Sequence, residues 1–329
     1  MRRIFRSALV VLLAWIAFVF VNNTNLFATR APGQPVLLAH RGIAQRFDTT
    51  ELRGDTCTAA RMLAPQHAFL ENTIASMRAA FEAGADVVEL DVHPTTDGQF
   101  AVFHDWTLDC RTDGKGVTRA HAMTELRTLD IGYGYTADGR QTFPFRGKGI
   151  GLMPSLDDVL STFPGREFLI NVKSNDPREG VLLAARLSKL PAAQRSRLMA
   201  YGGDEPIAAL HDRLPDVRTL SRASIKRCLL SYIGLGWSGY VPSACRNAFV
   251  LVPINVAPWL WGWPNRFLDR MEGAGSRVFV QGDYHGGGWS SGIDTPQDLA
   301  RLPAGYSGGI FTDRIDVIAR AVKPPQRGR

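Results

Sequence analysis

Short apolar runs separated by longer amphipathic stretches make up most of the chain beyond residue 35. A short apolar run is typical of a buried strand, and apolar positions three and four apart are typical of one helix face. We predict nine strands, at 36–39, 87–93, 100–103, 168–172, 198–201, 217–220, 249–252, 278–280 and 309–312. Strands that alternate with helices favour a parallel sheet, and a count near eight favours a closed α/β barrel over a doubly wound open sheet.

Predicted helices separate all but one pair of these strands. We expect them at 71–83, 155–162, 180–190, 206–214, from 225 onward, and at 265–272, 296–302 and 316–322. The exception is the pair of strands around Asp97-Gly98, a dipeptide that favours a tight turn. We therefore place the ninth strand in a hairpin beside the barrel.

The stretch from about 110 to 152 departs from this alternation. It is rich in glycine and threonine and has few long apolar runs, which is typical of an insertion and not of a barrel unit. We predict one α/β barrel over 36–322 that carries this insertion. A linker at 29–35 precedes the barrel, and a short tail at 323–329 follows it.

The first 28 residues have the character of a targeting segment. Arg2, Arg3 and Arg6 precede an apolar run over 8–21, as in a secretory signal. That run is shorter than the ~20 residues of an ordinary membrane span, although it lengthens if the residues before Arg6 are included. Because Leu26 occupies a position where cleavage needs a small residue, we favour an uncleaved anchor over a cleaved signal. Either alternative places the body of the protein outside the cytoplasm.

The amino-acid composition limits the kinds of molecule that the protein is expected to bind. A hydrophobic content of 45% and a charged content of 21% fit a globular protein with a proper core. The net charge of +7 is mild for 329 residues, and no basic run carries the interleaved aromatics of a nucleic-acid site. The composition therefore argues against nucleic acid and suits a phosphate-bearing substrate or an anionic membrane surface.

The four cysteines support an exported protein. Cys57, Cys110, Cys228 and Cys245 form an even set, which in an exported chain predicts disulfides. Four cysteines allow three pairings, and the sequence does not choose between them. None of them has the spacing of a zinc site.

The predicted strand at 87–93 carries an unusual polar face. Glu89, Asp91 and His93 alternate with apolar residues and therefore share one side of the strand. Two carboxylates roughly 7 Å apart on a buried strand repel each other, and a bound cation removes that cost. Hard divalent cations take oxygen ligands of this kind.

Polar residues also stand at the ends of other predicted strands. In a parallel barrel the carboxyl ends of the strands meet at one face, where catalytic residues lie. We expect the following residues to converge there with the polar face of 87–93: His40, Arg41, His104, Asp105, Asn171, Lys173, Thr312 and Asp313.

These motifs resemble, in their order and rough spacing, those of the glycerophosphodiester phosphodiesterase family. The resemblance rests on His40-Arg41-Gly42, Glu71-Asn72-Thr73, Glu89-Leu90-Asp91, Asp97-Gly98, His104-Asp105 and a closing Thr312-Asp313. It implies a TIM barrel with an inserted subdomain, a divalent cation and two catalytic histidines. An N-terminal hydrophobic helix would precede that barrel.

Carried onto this chain, the resemblance implies a role for each matching residue. His40 and His104 are the catalytic pair, acting as general acid and base in an order that the sequence does not fix. Glu89 and Asp91 match two metal ligands, for Ca²⁺ or Mg²⁺. Arg41 is placed to hold phosphate oxygens.

Lys173 is expected to hold phosphate as well, but the position two residues before it departs from the family. That position is Asn171, where the family usually has a third acidic ligand. We therefore expect weaker metal binding, or compensation from Glu71 or His93. The family's tryptophan motif on a late strand is also absent from 278–283.

Three functions remain open at this point. The leading one is hydrolysis of glycerophosphodiesters to an alcohol and glycerol phosphate. A lysophospholipase D-like activity on membrane lipids would use the same site, and the N-terminal segment would hold the enzyme beside such a substrate. A phosphodiester-binding protein without turnover is the third, which Asn171 favours and which the presence of both histidines opposes.

Overall fold

A computed structural model describes residues 2–28, 30–31, 33–52, 56–286 and 291–323. The tail predicted at 323–329 lies outside the described residues, except for Lys323.

Eight parallel strands form a nearly closed barrel, and a ninth lies beside it. The strands are β1 Val36–Ala39, β2 Val87–Pro94, β3 Phe100–Val102, β4 Glu167–Val172, β5 Leu198–Gly202, β6 Arg218–Ser221, β7 Phe249–Pro253, β8 Arg277–Gln281 and β9 Gly309–Thr312. The order around the sheet is β6-β5-β4-β2-β1-β9-β8-β7, and one parallel bridge from Thr219 to Ala248 links the two end strands. Among the named strands, β3 pairs with β2 only, in the antiparallel direction. The predicted barrel and the predicted hairpin are both confirmed.

The helices lie outside the barrel. They are α1 Arg2–Asn23, α2 Ile74–Ala83, α3 Met123–Leu126, α4 Leu156–Thr162, α5 Pro177–Leu187, α6 Ala192–Arg195, α7 Asp204–Arg213, α8 Arg222–Leu235, α9 Asn265–Gly273, α10 Pro296–Leu299 and α11 Ile315–Val322. Ser155 caps α4 as predicted. Helix α5 begins three residues before the predicted start, because Asp176 caps it and Pro177 fills its first turn.

The inside of the barrel is plugged by one apolar side chain from each barrel strand. These eight residues form a buried cluster: Leu38, Val87, Leu169, Met199, Leu220, Phe249, Phe279 and Phe311. Because strand side chains alternate, the residues two positions further along point into the same interior, one layer closer to the carboxyl ends. His40, Glu89, Asn171 and Tyr201 are such residues, so the register that fills the barrel also builds a polar layer above the plug.

A second apolar cluster lies under the segment that the sequence predicted as an insertion. It joins residues of 108–153 to the long loop before α2 and to the end of β3. Its buried members are Ala59, Met62, Leu70, Ala101, Phe103, Leu108, Met123, Leu126, Ile131, Tyr135, Phe145 and Met153. The segment therefore packs on the β2–β3 side of the barrel, where it borders the polar layer.

All four cysteines are paired. Cys57 bonds Cys110, and Cys228 bonds Cys245. The prediction of two disulfides is confirmed. The first bond ties the long loop before α2 to the inserted segment, and the second joins α8 to the start of β7.

Removing the first disulfide should cost more stability than removing the second. Cys57 and Cys110 are 53 residues apart, and Cys228 and Cys245 are 17 apart. Chain-entropy arguments then give about 4 kcal/mol for the first bond and about 3 kcal/mol for the second. Urea unfolding of the two double-serine variants measures both losses. A first variant as stable as the wild type would contradict this reasoning.

Candidate active site

The first strand ends in a turn that requires its glycine. Arg41 adopts φ 58°, in the left-handed region, and Gly42 follows at φ 77°. A Cβ on Gly42 would lie 2.6 Å from Ser76 Oγ, inside the first turn of α2. The turn therefore packs directly on the start of α2, which brings the motif at 40–42 against the motif at 71–73.

Each residue of Glu71-Asn72-Thr73 has a separate contact. Thr73 caps α2 through a reciprocal pair of hydrogen bonds with Ser76. Asn72, at φ 60°, accepts a hydrogen bond from the Asp91 N–H at 3.2 Å and donates one to Asp91 Oδ2 at 2.9 Å. Glu71 Oε1 accepts a hydrogen bond from Arg41 Nη1 at 3.2 Å. The motif thus fixes both the helix start and two charged groups of the site.

Asp91 is the most heavily contacted carboxylate. Besides Asn72, Asn171 Nδ2 donates to its Oδ1 at 2.8 Å. Arg41 Nε lies 3.2 Å from Oδ2, and Lys173 Nζ lies 3.3 Å from Oδ1. Burial opposes ionisation, but Lys173 and Arg41 outweigh it and hold the pKa of Asp91 well below its usual range. Asp91 is therefore a carboxylate with both oxygens already engaged.

Glu89 has fewer positive neighbours. It is fully buried and accepts hydrogen bonds from the Arg41 N–H at 3.2 Å and from Tyr201 OH at 2.7 Å. Burial and the nearby charge of Asp91 raise the pKa of Glu89 to about 7. The polar layer is thus short of positive charge at Glu89.

His40 is oriented by an aspartate on the neighbouring strand. Because β1 pairs with β9, the His40 N–H donates to Thr312 O, and the next residue, Asp313, lies beside the ring. His40 Nδ1 lies 2.5 Å from Asp313 Oδ1, and His40 Nε2 lies 3.8 Å from Glu89 Oε2. Burial and the charge of Arg41 oppose charging of the ring, but Asp313 and Glu89 raise the pKa of His40.

His104 has the same kind of partner. The Phe103 N–H donates to Asp91 O, so the chain after β3 runs back along β2 and carries His104 into the site. His104 Nδ1 lies 2.6 Å from Asp105 Oδ1. Burial, followed by the charge of Arg41, lowers the pKa of His104 to about 4. The site therefore holds two aspartate–histidine pairs.

Arg111 joins the second pair to the rest of the site. Its Nε donates to Asp105 Oδ2 at 3.0 Å, and its Nη1 lies 3.2 Å from Glu71 Oε2. The same guanidinium donates to Tyr135 OH at 2.5 Å and to Thr58 Oγ1 at 2.6 Å. Arg111 is 2% exposed, so this buried charge is held on four sides.

The structure connects all the residues that the sequence singled out for the site. A continuous set of contacts links His40, Arg41, Glu71, Glu89, Asp91, His104, Asn171 and Lys173. Asp313, which was also expected at this face, takes part as the partner of His40, whereas Arg111 and Tyr201 take part without having been predicted. Tyr201 stands at a strand end, so the rule that found the others applies to it. Arg111 lies in an irregular loop and has no such signal.

His93 lies apart from the carboxylates. Its ring packs against Trp106, with ring centroids 6.0 Å apart. Burial and the charge of Lys173 lower the pKa of His93 to about 4, so its ring is neutral at physiological pH. Its position is that of a packed histidine next to the site.

The site offers oxygen donors that suit a divalent cation, but with two carboxylates in place of the three that the family usually has. No group of three or more acidic, histidine or cysteine side chains has the arrangement of a metal site in the part of the chain that the structure describes. Glu89 and Asp91 supply two buried carboxylates, and Asn171 supplies an amide. Glu71 contacts two guanidinium groups and does not join them. A cation at this place would offset the repulsion between Glu89 and Asp91, and their carboxylates are the hard oxygen ligands that such cations take.

Comparison with known proteins identifies the family. The model of the glycerophosphoryl diester phosphodiesterase family matches residues 40–199. The glycerophosphodiester phosphodiesterase of Caldanaerobacter subterraneus is 38% identical over 261 residues, which are 77% of this chain and 92% of that protein. The chain belongs to the glycerophosphodiester phosphodiesterase family. It is therefore an enzyme that hydrolyses glycerophosphodiesters, and enzymes of this family generally use divalent cations.

Solved structures of glycerophosphodiester phosphodiesterases share the fold. The phosphodiesterase domain of a Mycobacterium tuberculosis protein superposes with a TM-score of 0.62 at 16% identity, covering 88% of this chain and 99% of that one. A phosphodiesterase of Oleispira antarctica, solved in complex with the product sn-glycerol-3-phosphate, gives 0.53 at 18% identity, covering 88% and 96%. At these identities the likeness shows the TIM-barrel fold alone.

Proposed function

We propose that this enzyme hydrolyses glycerophosphodiesters with a divalent cation and two histidines that act as general acid and base. The observation that carries the proposal is the pair of aspartate–histidine contacts, at 2.5 Å for Asp313–His40 and 2.6 Å for Asp105–His104. Both lie beside the buried carboxylates of β2. A site that only bound a phosphodiester would need neither proton donor nor proton acceptor.

The histidines move the protons. Each aspartate holds the Nδ1 of its partner, which fixes the tautomer and the plane of the ring and leaves Nε2 for the substrate. One Nε2 takes the proton of the attacking oxygen, and the other gives a proton to the leaving alkoxide. Because both rings are held in the same way, the geometry does not assign the two roles.

The cationic side chains hold the phosphate. Arg41 and Lys173 both lie against Asp91, so their remaining N–H groups can bind phosphoryl oxygens at the same end of the barrel. Glu89 and Asp91 would hold the metal, with the amide oxygen of Asn171 as a neutral third donor. When bound, the cation neutralises charge on the phosphoryl oxygens.

The same proposal assigns a role to each part of the chain. We place the anchor at 1–28 and the linker at 29–35. The phosphodiesterase barrel covers 36–322, and its inserted subdomain covers about 110–152. The barrel then lies outside the cytoplasm, where its disulfides are stable.

Turnover by the full chain tests this function. The enzyme is stripped with a chelator, and glycerophosphocholine hydrolysis is followed on adding Ca²⁺ or Mg²⁺. We expect no turnover without the cation and recovery with one of them. Equal turnover in the chelator would overturn the metal requirement. Absence of turnover under every condition would overturn the proposed function.

A lysophospholipid is the second candidate substrate. The observation that favours it is the position of Trp261, 36% exposed, which lines a groove with the apolar residues of α1. Such a surface would bring the enzyme close to lipids. Offering lysophosphatidylcholine and glycerophosphocholine in parallel separates the two, because the higher kcat/KM identifies the preferred substrate.

Restoring an acidic residue at Asn171 should tighten cation binding. The Asn171→Asp variant adds a third carboxylate, and carboxylate count is a main determinant of Ca²⁺ affinity. We expect an increase on the order of tenfold in calorimetric titrations with Ca²⁺. Asn175→Asp adds the same charge on the following loop and is the control. Unchanged affinity in Asn171→Asp would mean that residue 171 is not a ligand.

A further inference from the structure

Helix α1 exposes a large apolar surface, which is expected to be buried against lipid or another chain. It is the one helix among the described residues that is long and apolar enough to cross a membrane. Twelve of its large apolar side chains are 49% to 77% exposed. Apolar patches of this size on a protein surface mark contacts with lipid or with another chain.

The end of α1 is fixed to the barrel by polar contacts. Asn22 Nδ2 and Asn23 Nδ2 donate to Trp237 O at 3.0 and 2.8 Å. Arg270, on α9, donates to Asn22 O at 2.7 Å and to Asn23 Oδ1 at 2.9 Å. These contacts set the direction in which α1 leaves the barrel.

The segment directly after α1 caps the start of α9. Asn25 Oδ1 accepts hydrogen bonds from the N–H groups of Asn265 and Arg266, at 3.1 and 3.3 Å. It thereby satisfies two of the free donors at the start of that helix, as a capping residue does. Asn25 Nδ2 also donates to Trp263 O at 2.7 Å. Cleavage after Ala28 would remove all of these contacts, so the structure favours an anchor that is retained.

The contacts between α1 and the barrel extend well into the apolar part of the helix. Trp237 packs on Trp15 and Phe18, with ring centroids 5.8 and 6.5 Å apart. Trp261 lines a groove with residues of the same stretch, including Trp15. Trp15 precedes Asn22 by seven residues, which is about 10 Å along the helix axis. If α1 spans a bilayer, Trp237 and Trp261 therefore lie closer to the bilayer centre than Asn22 does.

We propose that α1 remains in the mature protein and that one side of the barrel lies in the outer lipid interface around it. This aromatic face comprises Leu235, Trp237, Tyr240, Trp259 and Trp261. Four of its members are exposed, Trp259 the most at 72%. Tryptophan and tyrosine favour the membrane–water interface, and interfacial segments sink about 5–10 Å into it.

The charges beside the aromatic face suit a lipid surface. Lys226 and Arg227 are exposed on α8, the helix that ends at Leu235 of the aromatic face. Exposed cations on a protein that lies at a membrane attract anionic head groups. The occupant is therefore a lipid bilayer that contains anionic lipid, and the proposal does not depend on the proposed catalytic mechanism.

Spin-label accessibility tests the aromatic face in the full chain. Trp259→Cys carries a nitroxide in vesicles of phosphatidylcholine and phosphatidylglycerol, and Ser161→Cys on α4, on the opposite side of the barrel, is the control. We expect the label at 259 to be open to oxygen and shielded from a nickel chelate. The label at 161 should be open to the chelate. Equal chelate access at both positions would overturn the proposal.

The retained anchor has its own test. The intact mass of the protein extracted from membranes of an exporting host should include residues 2–23. A mass that begins after Ala28 would overturn retention. A shielded label together with a full-length mass is the result that we expect, and a protein partner in place of lipid would leave the label open to the chelate in protein-free vesicles.

Discussion

Replacing His40 with alanine should lower kcat by about 10²–10⁴-fold, the contribution of one general acid or base. His40 is held by Asp313 on one side and lies near Glu89 on the other. Because the proposed role of His40 is proton transfer and not binding of the alcohol group, we expect KM to change far less than kcat.

The measurement is glycerophosphocholine turnover at saturating cation, with folding followed by circular dichroism. His211→Ala is the matched control, since His211 is exposed on α7 and should leave kcat unchanged. A folded His40→Ala enzyme with the wild-type kcat would remove His40 from the mechanism. A variant that loses cation affinity as well would place His40 nearer to the metal ligands than proposed.

Periodicity in the sequence predicted the barrel because barrel strands are short, apolar and separated by helices. It also predicted most of the site, since His40, Glu89, Asp91 and Asn171 lie in or directly after those strands. The stacking of a polar layer on an apolar plug follows from strand alternation alone. The local sequence pattern was therefore enough to predict those site residues whose position depends on their place in a strand.

The remaining features depend on contacts between distant parts of the chain. Arg111 donates a hydrogen bond to Thr58, which is 53 residues away, and no local sequence pattern connects the two residues. Asn25 caps a helix that starts 240 residues later. The disulfide pairing was open for the same reason, since four cysteines carry no information about which loops meet.

Asn171 shows how the structure narrows an open prediction. The sequence left either weaker metal binding or compensation by Glu71 or His93. Glu71 faces two arginines, and His93 packs against Trp106, so neither side chain is placed with Glu89 and Asp91. Weaker cation binding stays as the prediction, and Lys173 and Arg41 supply the positive charge that surrounds Asp91.

Replacing Arg111 with leucine should lower the free energy of unfolding by about 3–5 kcal/mol, the cost of breaking a buried ion pair from one side. Asp105 and Glu71 would lose their cation, and Tyr135 and Thr58 would lose a hydrogen-bond donor. We also expect kcat to fall, because Asp105 would no longer be held against His104. Urea unfolding and glycerophosphocholine turnover measure the two effects.

The exposed Arg178 provides the control. Its pair with Asp176 lies at the surface, where ion pairs contribute little, so Arg178→Leu should leave the free energy of unfolding close to that of the wild type. Arg111→Lys retains the charge but not the planar fork of donors, and should fall between the wild type and Arg111→Leu. Equal urea midpoints for wild type and Arg111→Leu would show that the buried network does not stabilise the fold.

The loss in Arg111→Leu should depend on pH with a definite sign. Burial opposes ionisation of Glu71 and Asp105, but Arg111 outweighs it and contributes to a lowered pKa in both. A lowered pKa adds stability above the unfolded value of the carboxyl, and that stability is lost as the pH falls through the folded value. The gap between wild type and variant should therefore be largest near neutral pH and narrow below about pH 4. A gap that stays constant on acidification would mean that Arg111 acts through packing and not through these two carboxylates.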